Sequence, residues 1–269
     1  MLDFNNPVIM LMLLPFLITI IGHGLFRYFA GVGLGHTLAN SSLTIAFIIT
    51  FTIYYGFPSL PIRTSTDQLF IISLVSLCFG FLQDRYPKIG FLSPASHLAV
   101  MVLVVFWIYT SDIPTLTDKA ELFSLAYTII IALIVFLKLE DIQYNALQAP
   151  VALFWAAVGL YVVSKGADIP LSENLMMILI ASIGSYLILN FPHPKFPFGA
   201  AALYPCYLII ISVAMNMYSV DHSLAFSLII LTSIFYSPNI IHLLPHDYAS
   251  PIIKLILPAA PIGFAWLFS

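Results

Sequence analysis

The sequence predicts an all-α polytopic transmembrane helix bundle of about ten spans, with both termini non-cytoplasmic. Three observations carry that reading. Of the 269 residues 61% are apolar and only 8% charged, against about 25% charged in an ordinary soluble domain. The apolar residues fall in runs of membrane-spanning length, and Lys and Arg gather on alternate loops. A soluble chain of this length could bury an apolar core, but it would need a charged shell. This sequence has none.

A span needs about 20 mainly apolar residues. Candidates lie at 8–29, 43–60, 67–83, 94–110, 121–137, 148–164, 173–191, 199–218, 222–240 and 251–268. The first has no Lys or Arg before it and no clean small-residue cleavage site after it. It reads as a retained span and not a signal peptide. Compact loops punctuated by Pro58, Ser59 and Pro61, or by Pro192, Pro194 and Pro197, join the runs. No linker, repeat or soluble domain interrupts them, so residues 1–269 form one transmembrane domain.

Charge sets the orientation. With the loops numbered in order, Arg27, Arg85, Lys88, Lys138, Lys195 and Lys254 stand in or beside odd loops, and Arg63, Lys119 and Lys165 beside even ones. The positive-inside rule then puts the odd loops in the cytoplasm. The 9 Lys and Arg are spread singly, so no basic run suits nucleic acid, and no nucleic-acid partner is expected. Cys78 and Cys206 lie in apolar runs and read as small buried hydrophobes.

The reactive side chains also favour one side. His36, Asp84, His97, Glu140, Asp141, Asn145, His193, Lys195, His242, His246 and Asp247 all fall on the odd side. Loop residues are hydrated in any case, so clustering alone defines no site. Within the spans, His23 and Arg27 are four apart and share a helix face. Arg27 is expected to snorkel to the interface, and His23 to be a hydrogen-bonded helix residue. No span carries a central Asp, Glu or Lys, which counts against ion-coupled transport, although broken helices can serve that purpose. Pro238 predicts an interruption of the ninth span near Ser237-Pro238, with the segment to Leu244 leaving the helix axis.

Several odd-side segments carry a further pattern. Asn190-Phe-Pro-His-Pro-Lys-Phe-Pro-Phe-Gly199 resembles, without a gap, the N-F-P-P-A-K-I/V-F-M-G-D segment of the polyprenyl-phosphate N-acetylhexosamine-1-phosphate transferases. That family, glycosyltransferase family 4, includes the phospho-MurNAc-pentapeptide transferase and its WecA-like relatives. Phe79-Gly-Phe-Leu-Gln-Asp-Arg-Tyr86 is similar to its G-L/F-I/L-D-D-R-F, and Ser93-Pro-Ala-Ser-His97 to its S-P-x-x-K. His36 to Ala46, Leu139 to Leu153 and Ile241-His-Leu-Leu-Pro-His246 occupy the places of three further motifs. The resemblance implies a ten- or eleven-span bundle in a bacterial inner membrane, commonly dimeric. It also implies a cytoplasmic cleft where Mg²⁺ assists transfer of a sugar-1-phosphate from a UDP-sugar to a lipid phosphate.

The departures from that pattern bear on the chemistry. Phosphoryl transfer of this kind relies on carboxylates that hold a hard cation on the pyrophosphate. Gln83 stands where the first acidic pair has an Asp, leaving Asp84. Asp141 remains near the second motif's first acid, with Asn145 in place of its second, and Gly199-Ala200 replaces Gly-Asp. His97 replaces a basic residue. An amide is a poor Mg²⁺ ligand and a methyl group is none.

The resemblance therefore implies a catalytically inactive relative, a pseudoenzyme, with Asp84 and Asp141 as vestigial catalytic residues and no cofactor. His36, His97, Asn145, Lys195, His242 and His246 are the expected lipid-binding residues. The expected partners are a membrane lipid, such as polyprenyl phosphate, and a second copy or another subunit of a membrane complex. Two alternatives stay open. One is an active Mg²⁺-dependent transferase with a site rebuilt from Asp84, Asp141, Glu140, His36, His193, His242 and His246. The other is a lipid flippase or small-solute transporter.

Overall fold

Long apolar runs without charge have one economical solution in lipid, the helix, because it satisfies every backbone polar group within the segment. The computed structural model describes residues 6–31, 34–59, 61–62, 64–85, 92–112, 119–142, 147–191, 196–239 and 251–269. Every element among them is helical. A π-helical turn, Ile9–Leu13, leads into α1 (Leu14–Ala30), followed by α2 (Leu34–Tyr55), α3 (Ser65–Arg85), α4 (Leu92–Asp112) and α5 (Lys119–Ile142). Then come α6 (Gln148–Gly166), α7 (Pro170–Asn190), α8 (Ala200–Val220), α9 (Ala225–Thr232), α10 (Pro251–Ile256) and α11 (Ala260–Leu267). Six helices among the described residues are long and apolar enough to cross a membrane: Ile9–Ala30, α2, α3, α6, α7 and α8. The chain is an all-α, multi-pass membrane bundle.

α8 is its axis. It packs against α2, α3, α4, α6 and α7, and 83% of its apolar stretch is buried, against 22% for Ile9–Ala30. α1 and α2 form a tight hairpin at the periphery, and α1 turns Leu17, Ile21, Leu25, Tyr28 and Phe29 outward. In a bilayer that outward face meets lipid at no cost. Several small hydroxyls in the core bond back to their own helices. Ser73 donates to the Phe70 carbonyl at 2.7 Å, Ser182 to Ile178 at 3.0 Å and Ser212 to Leu208 at 2.6 Å. Such residues let helices approach closely without leaving a polar group unpaired.

Two passages differ from their sequence reading. The second helix starts at Leu34, not residue 43, so His36 lies on a helix and not in a loop. The polar residues ahead of residue 43 are satisfied inside the helix: Ser41 donates to the Leu38 carbonyl at 2.7 Å and Ser42 to Ala39 at 2.6 Å. The same helix ends at Tyr55, where Gly56 takes φ +85° and bonds back to Thr52 at 3.0 Å. Left-handed backbone of this kind favours glycine.

Within the described residues the ninth passage is not interrupted at Ser237-Pro238: it tightens into a 3-10 turn just ahead of them and stays helical through 237–239. A 3-10 turn (His222–Leu224), opened by Asp221 accepting from the Ser223 amide at 2.9 Å, leads into α9. That hydrogen-bonding partner holds the Asp221 carboxyl below its ordinary range. α9 is eight residues long and passes into a second 3-10 turn, Ser233–Tyr236. Pro238 has no amide to give the Ile234 carbonyl and its ring crowds that turn. The helix tightens ahead of it, and the Ser237 hydroxyl takes the Ile234 carbonyl at 2.7 Å. The predicted excursion to Leu244 lies outside the described residues. Near the C-terminus Pro258 likewise cannot serve the Leu255 carbonyl in the 3-10 turn Leu257–Ala259, and the Trp155 indole donates to it at 2.5 Å.

Candidate functional site

The ends of α1, α3 and α7 and the starts of α2 and α8 meet on one side of the bundle, the side of the odd loops. Two structures are built there from charged and polar residues.

The first is a helix cap made across the fold. The first amides of a helix have no partner of their own. The Asp84 carboxylate, on the last turn of α3, accepts from Ala200 at 2.7 Å and from Ala201 at 3.1 Å, at the start of α8. One turn back, Gly80 lets the two backbones touch, since a Cβ there would lie 2.5 Å from the Ala200 carbonyl oxygen. A Cβ on Gly199 would meet an Asp84 oxygen at 2.6 Å and the Asn40 amide nitrogen at 2.7 Å. Gln83 donates to the Ser96 hydroxyl on α4 at 3.4 Å.

The second is a cationic corner on the α1–α2 hairpin. The Arg27 guanidinium lies against both ring nitrogens of His36, and above the Phe196 ring, 5.6 Å from its centroid. Arg27, half-buried in the last turn of α1, contacts His36 and Phe196 from there. One turn deeper, His23 shares a hydrogen bond of 3.1 Å between Nδ1 and the Ala39 carbonyl. It packs edge-on against Phe196 at 4.7 Å and Tyr186 at 5.7 Å. The carbonyl can only accept, so Nδ1 carries the proton and Nε2 keeps a lone pair. Among the described residues Nε2 has no partner, and nor does the Asn40 side-chain oxygen.

The segment between α7 and α8 closes this corner. Asn190 accepts from the Phe196 amide at 2.7 Å and donates to the Tyr186 carbonyl at 3.1 Å. The Tyr186 hydroxyl donates to the Phe196 carbonyl at 2.6 Å, and Phe198 is buried against the Tyr186 ring. Phe196 is thereby fixed at its amide and at its carbonyl.

Of the sequence-predicted residues, His36 and Asp84 belong to these two structures. Asp141 is largely exposed and forms an ion pair with Lys138 one turn back, at 3.0 Å. Glu140 is half-buried beside it on α5. His97 lies on α4, but its side chain is outside those described, and Asn145, His193, Lys195, His242, His246 and Asp247 are outside the described residues altogether. No group of three or more His, Cys, Asp or Glu among the described residues is arranged to hold a metal. Among the described residues, both Asp84 oxygens are turned to backbone amides, one of them supplied by Ala200. The sequence reading missed Asn40, Tyr186, Asn190 and Phe196 as parts of the site. A buried Asn ending an apolar run before a Pro-rich segment was the available signal.

No family model matches this chain, and no curated protein matches it.

Proposed function

We propose that this chain is a non-catalytic membrane protein, related in fold to the polyprenyl-phosphate sugar-1-phosphate transferases, that binds a lipid bearing a phosphate head group. The observation that carries the reading is the Arg27–His36 pair, with which no described carboxylate forms an ion pair. A guanidinium is permanently charged and its fork of N–H donors suits phosphate oxygens. An ionisable side chain within a membrane span is a functional-site hypothesis, and Arg27 lies within the span Ile9–Ala30. The carboxylate that resembles a catalytic acid, Asp84, is engaged as a helix cap. Binding without turnover fits that distribution of charge.

The finer topology belongs to the same proposal: ten passages, odd loops in the cytoplasm, both termini outside, in a bacterial inner membrane. Arg27, Arg85 and Lys138 at the ends of α1, α3 and α5 support it through the positive-inside rule. The chain acts with a second copy or as a subunit of a membrane complex, as the resembling enzymes commonly pair.

Native mass spectrometry of detergent-purified protein tests the reading. Wild type should retain anionic phospholipid or polyprenyl phosphate over phosphatidylcholine, and Arg27→Gln should lose that preference. Equal retention of anionic and zwitterionic lipid by wild type would refute it.

A further inference from the structure

The geometry points to a lipid hydrocarbon chain seated in an apolar groove of about 230 Å³ between α1 and α2. Ile18, Ile21, Leu25 and Phe26 line it from α1 and Ile45 from α2, and Gly22 and Ser42 complete it where the helices meet. A Cβ on Gly22 would lie 3.1 Å from the Ser42 Cβ, so glycine lets the two helices approach there. The α1 residues recur at i, i+3, i+4, i+7 and i+8, so the groove follows the helix for about 12 Å. Arg27 is on the opposite face of α1, because each residue turns the helix by about 100°. A chain can therefore lie in the groove whether or not Arg27 holds a phosphate.

The lining selects an apolar occupant. The Ser42 hydroxyl is taken by the Ala39 carbonyl at 2.6 Å, and the rest of the lining is apolar. Ile21 and Leu25 are 55% and 49% exposed, so the groove opens outward. It does so within the span Ile9–Ala30, at the depth of the bilayer hydrocarbon.

Two apolar species occur at that depth, a lipid chain and another helix. Size favours the chain. A stable interface engages about 20–30 residues a side, and this groove engages seven. An apolar cavity of about 150 Å³ takes up benzene. By that measure the groove holds on the order of nine carbons, more than one inserted Leu or Phe side chain carries. Lipid tails gain no hydrophobic energy by exchanging one apolar neighbour for another. Contact holds the chain instead: a gap beside Gly22 would forfeit van der Waals partners, and a thin flexible chain restores them.

The test uses full-length protein in liposomes containing phosphatidylcholine with a photoactivatable diazirine at mid-chain, and adducts are mapped by mass spectrometry. Adducts between Ile18 and Phe26 and on Ile45 should exceed several-fold those on Ile130 and Ile134 of α5, which are about as exposed as Ile21 and Leu25. Gly22→Leu and Ile45→Phe fill the groove from its two sides. Each should lose the excess and leave α5 labelling unchanged. Ile45→Phe keeps Gly22 against Ser42, so it decides where Gly22→Leu does not fold. Adducts in proportion to exposure on α1 and α5 alike, or an excess that survives filling the groove, would overturn the assignment. So would Ile21→Cys, in a chain lacking Cys78 and Cys206, cross-linking to itself between copies, because a second copy would then cover the groove.

Discussion

The Asp84 carboxylate at the end of α3 accepts the Ala200 amide at 2.7 Å, so a residue that resembles part of a metal site instead starts the most buried helix of the bundle. An acidic N-cap is worth about 0.5–2 kcal/mol over Ala. Asp84→Ala should therefore destabilise the protein by about that amount, read as a lower unfolding temperature in mild detergent. Asp84→Asn keeps one acceptor oxygen and should fall between the two. No difference between Asp84→Ala and wild type would remove the cap from the account.

Gly80 and Gly24 make a paired test of how α3 meets α8. A Cβ on Gly80 runs into the Ala200 carbonyl, and backbone cannot step aside as a side chain can, whereas a Cβ on Gly24 meets nothing within 4 Å. Gly80→Ala should cost about 1–3 kcal/mol through overpacking. Gly24→Ala should be neutral or stabilise by up to about 1 kcal/mol, because Ala is the better helix former. Similar unfolding temperatures for the two variants would count against the close α3–α8 contact.

Trp155 holds the broken C-terminal passage to α6 through the Leu255 carbonyl. Trp155→Phe keeps most of the apolar bulk and removes the donor, at a cost of about 0.5–1.5 kcal/mol for a part-buried hydrogen bond lost. Hydrogen exchange should quicken around residues 251–267 and stay unchanged in α1 and α2. Exchange that quickens evenly across the bundle would show that the bond has no local role.

The class of fold was legible because it follows from composition and from runs of spanning length, both local properties. The 190–199 stretch was legible as a motif, and the structure gives part of the reason: Asn190 fixes the Phe196 amide and Gly199 sits against Asp84. His36 lies ahead of the apolar run that begins at residue 43, and the helix extends back to it because the Ser41 and Ser42 hydroxyls are each consumed by the turn before. Pro238 marks a tightening and not a break within the described residues: the turn Ser233–Tyr236 becomes 3-10 because proline acts on the carbonyl four residues back, and the helix continues through 237–239. The Asp84–Ala200 and His23–Ala39 contacts join residues 116 and 16 positions apart. Periodicity carries no information about such pairings, so both contacts were visible only in the fold.

The orientation has its own test. Ala167, between α6 and α7, stands on the non-cytoplasmic face in the proposed topology, and Phe191, between α7 and α8, on the cytoplasmic one. In a chain lacking Cys78 and Cys206, Ala167→Cys should react with a membrane-impermeant maleimide in intact cells. Phe191→Cys should react only after permeabilisation. The opposite pattern would invert the bundle, and labelling of both from one side would remove α7 from the spans.

Turnover tests the central claim most directly. Purified protein is given polyprenyl phosphate, UDP-N-acetylglucosamine or UDP-MurNAc-pentapeptide, and Mg²⁺ or Mn²⁺, and the lipid product is quantified. The account predicts lipid retained on the protein and no phospho-sugar transfer above background. Transfer above background that is lost in Asp84→Asn or Asp141→Asn would contradict it.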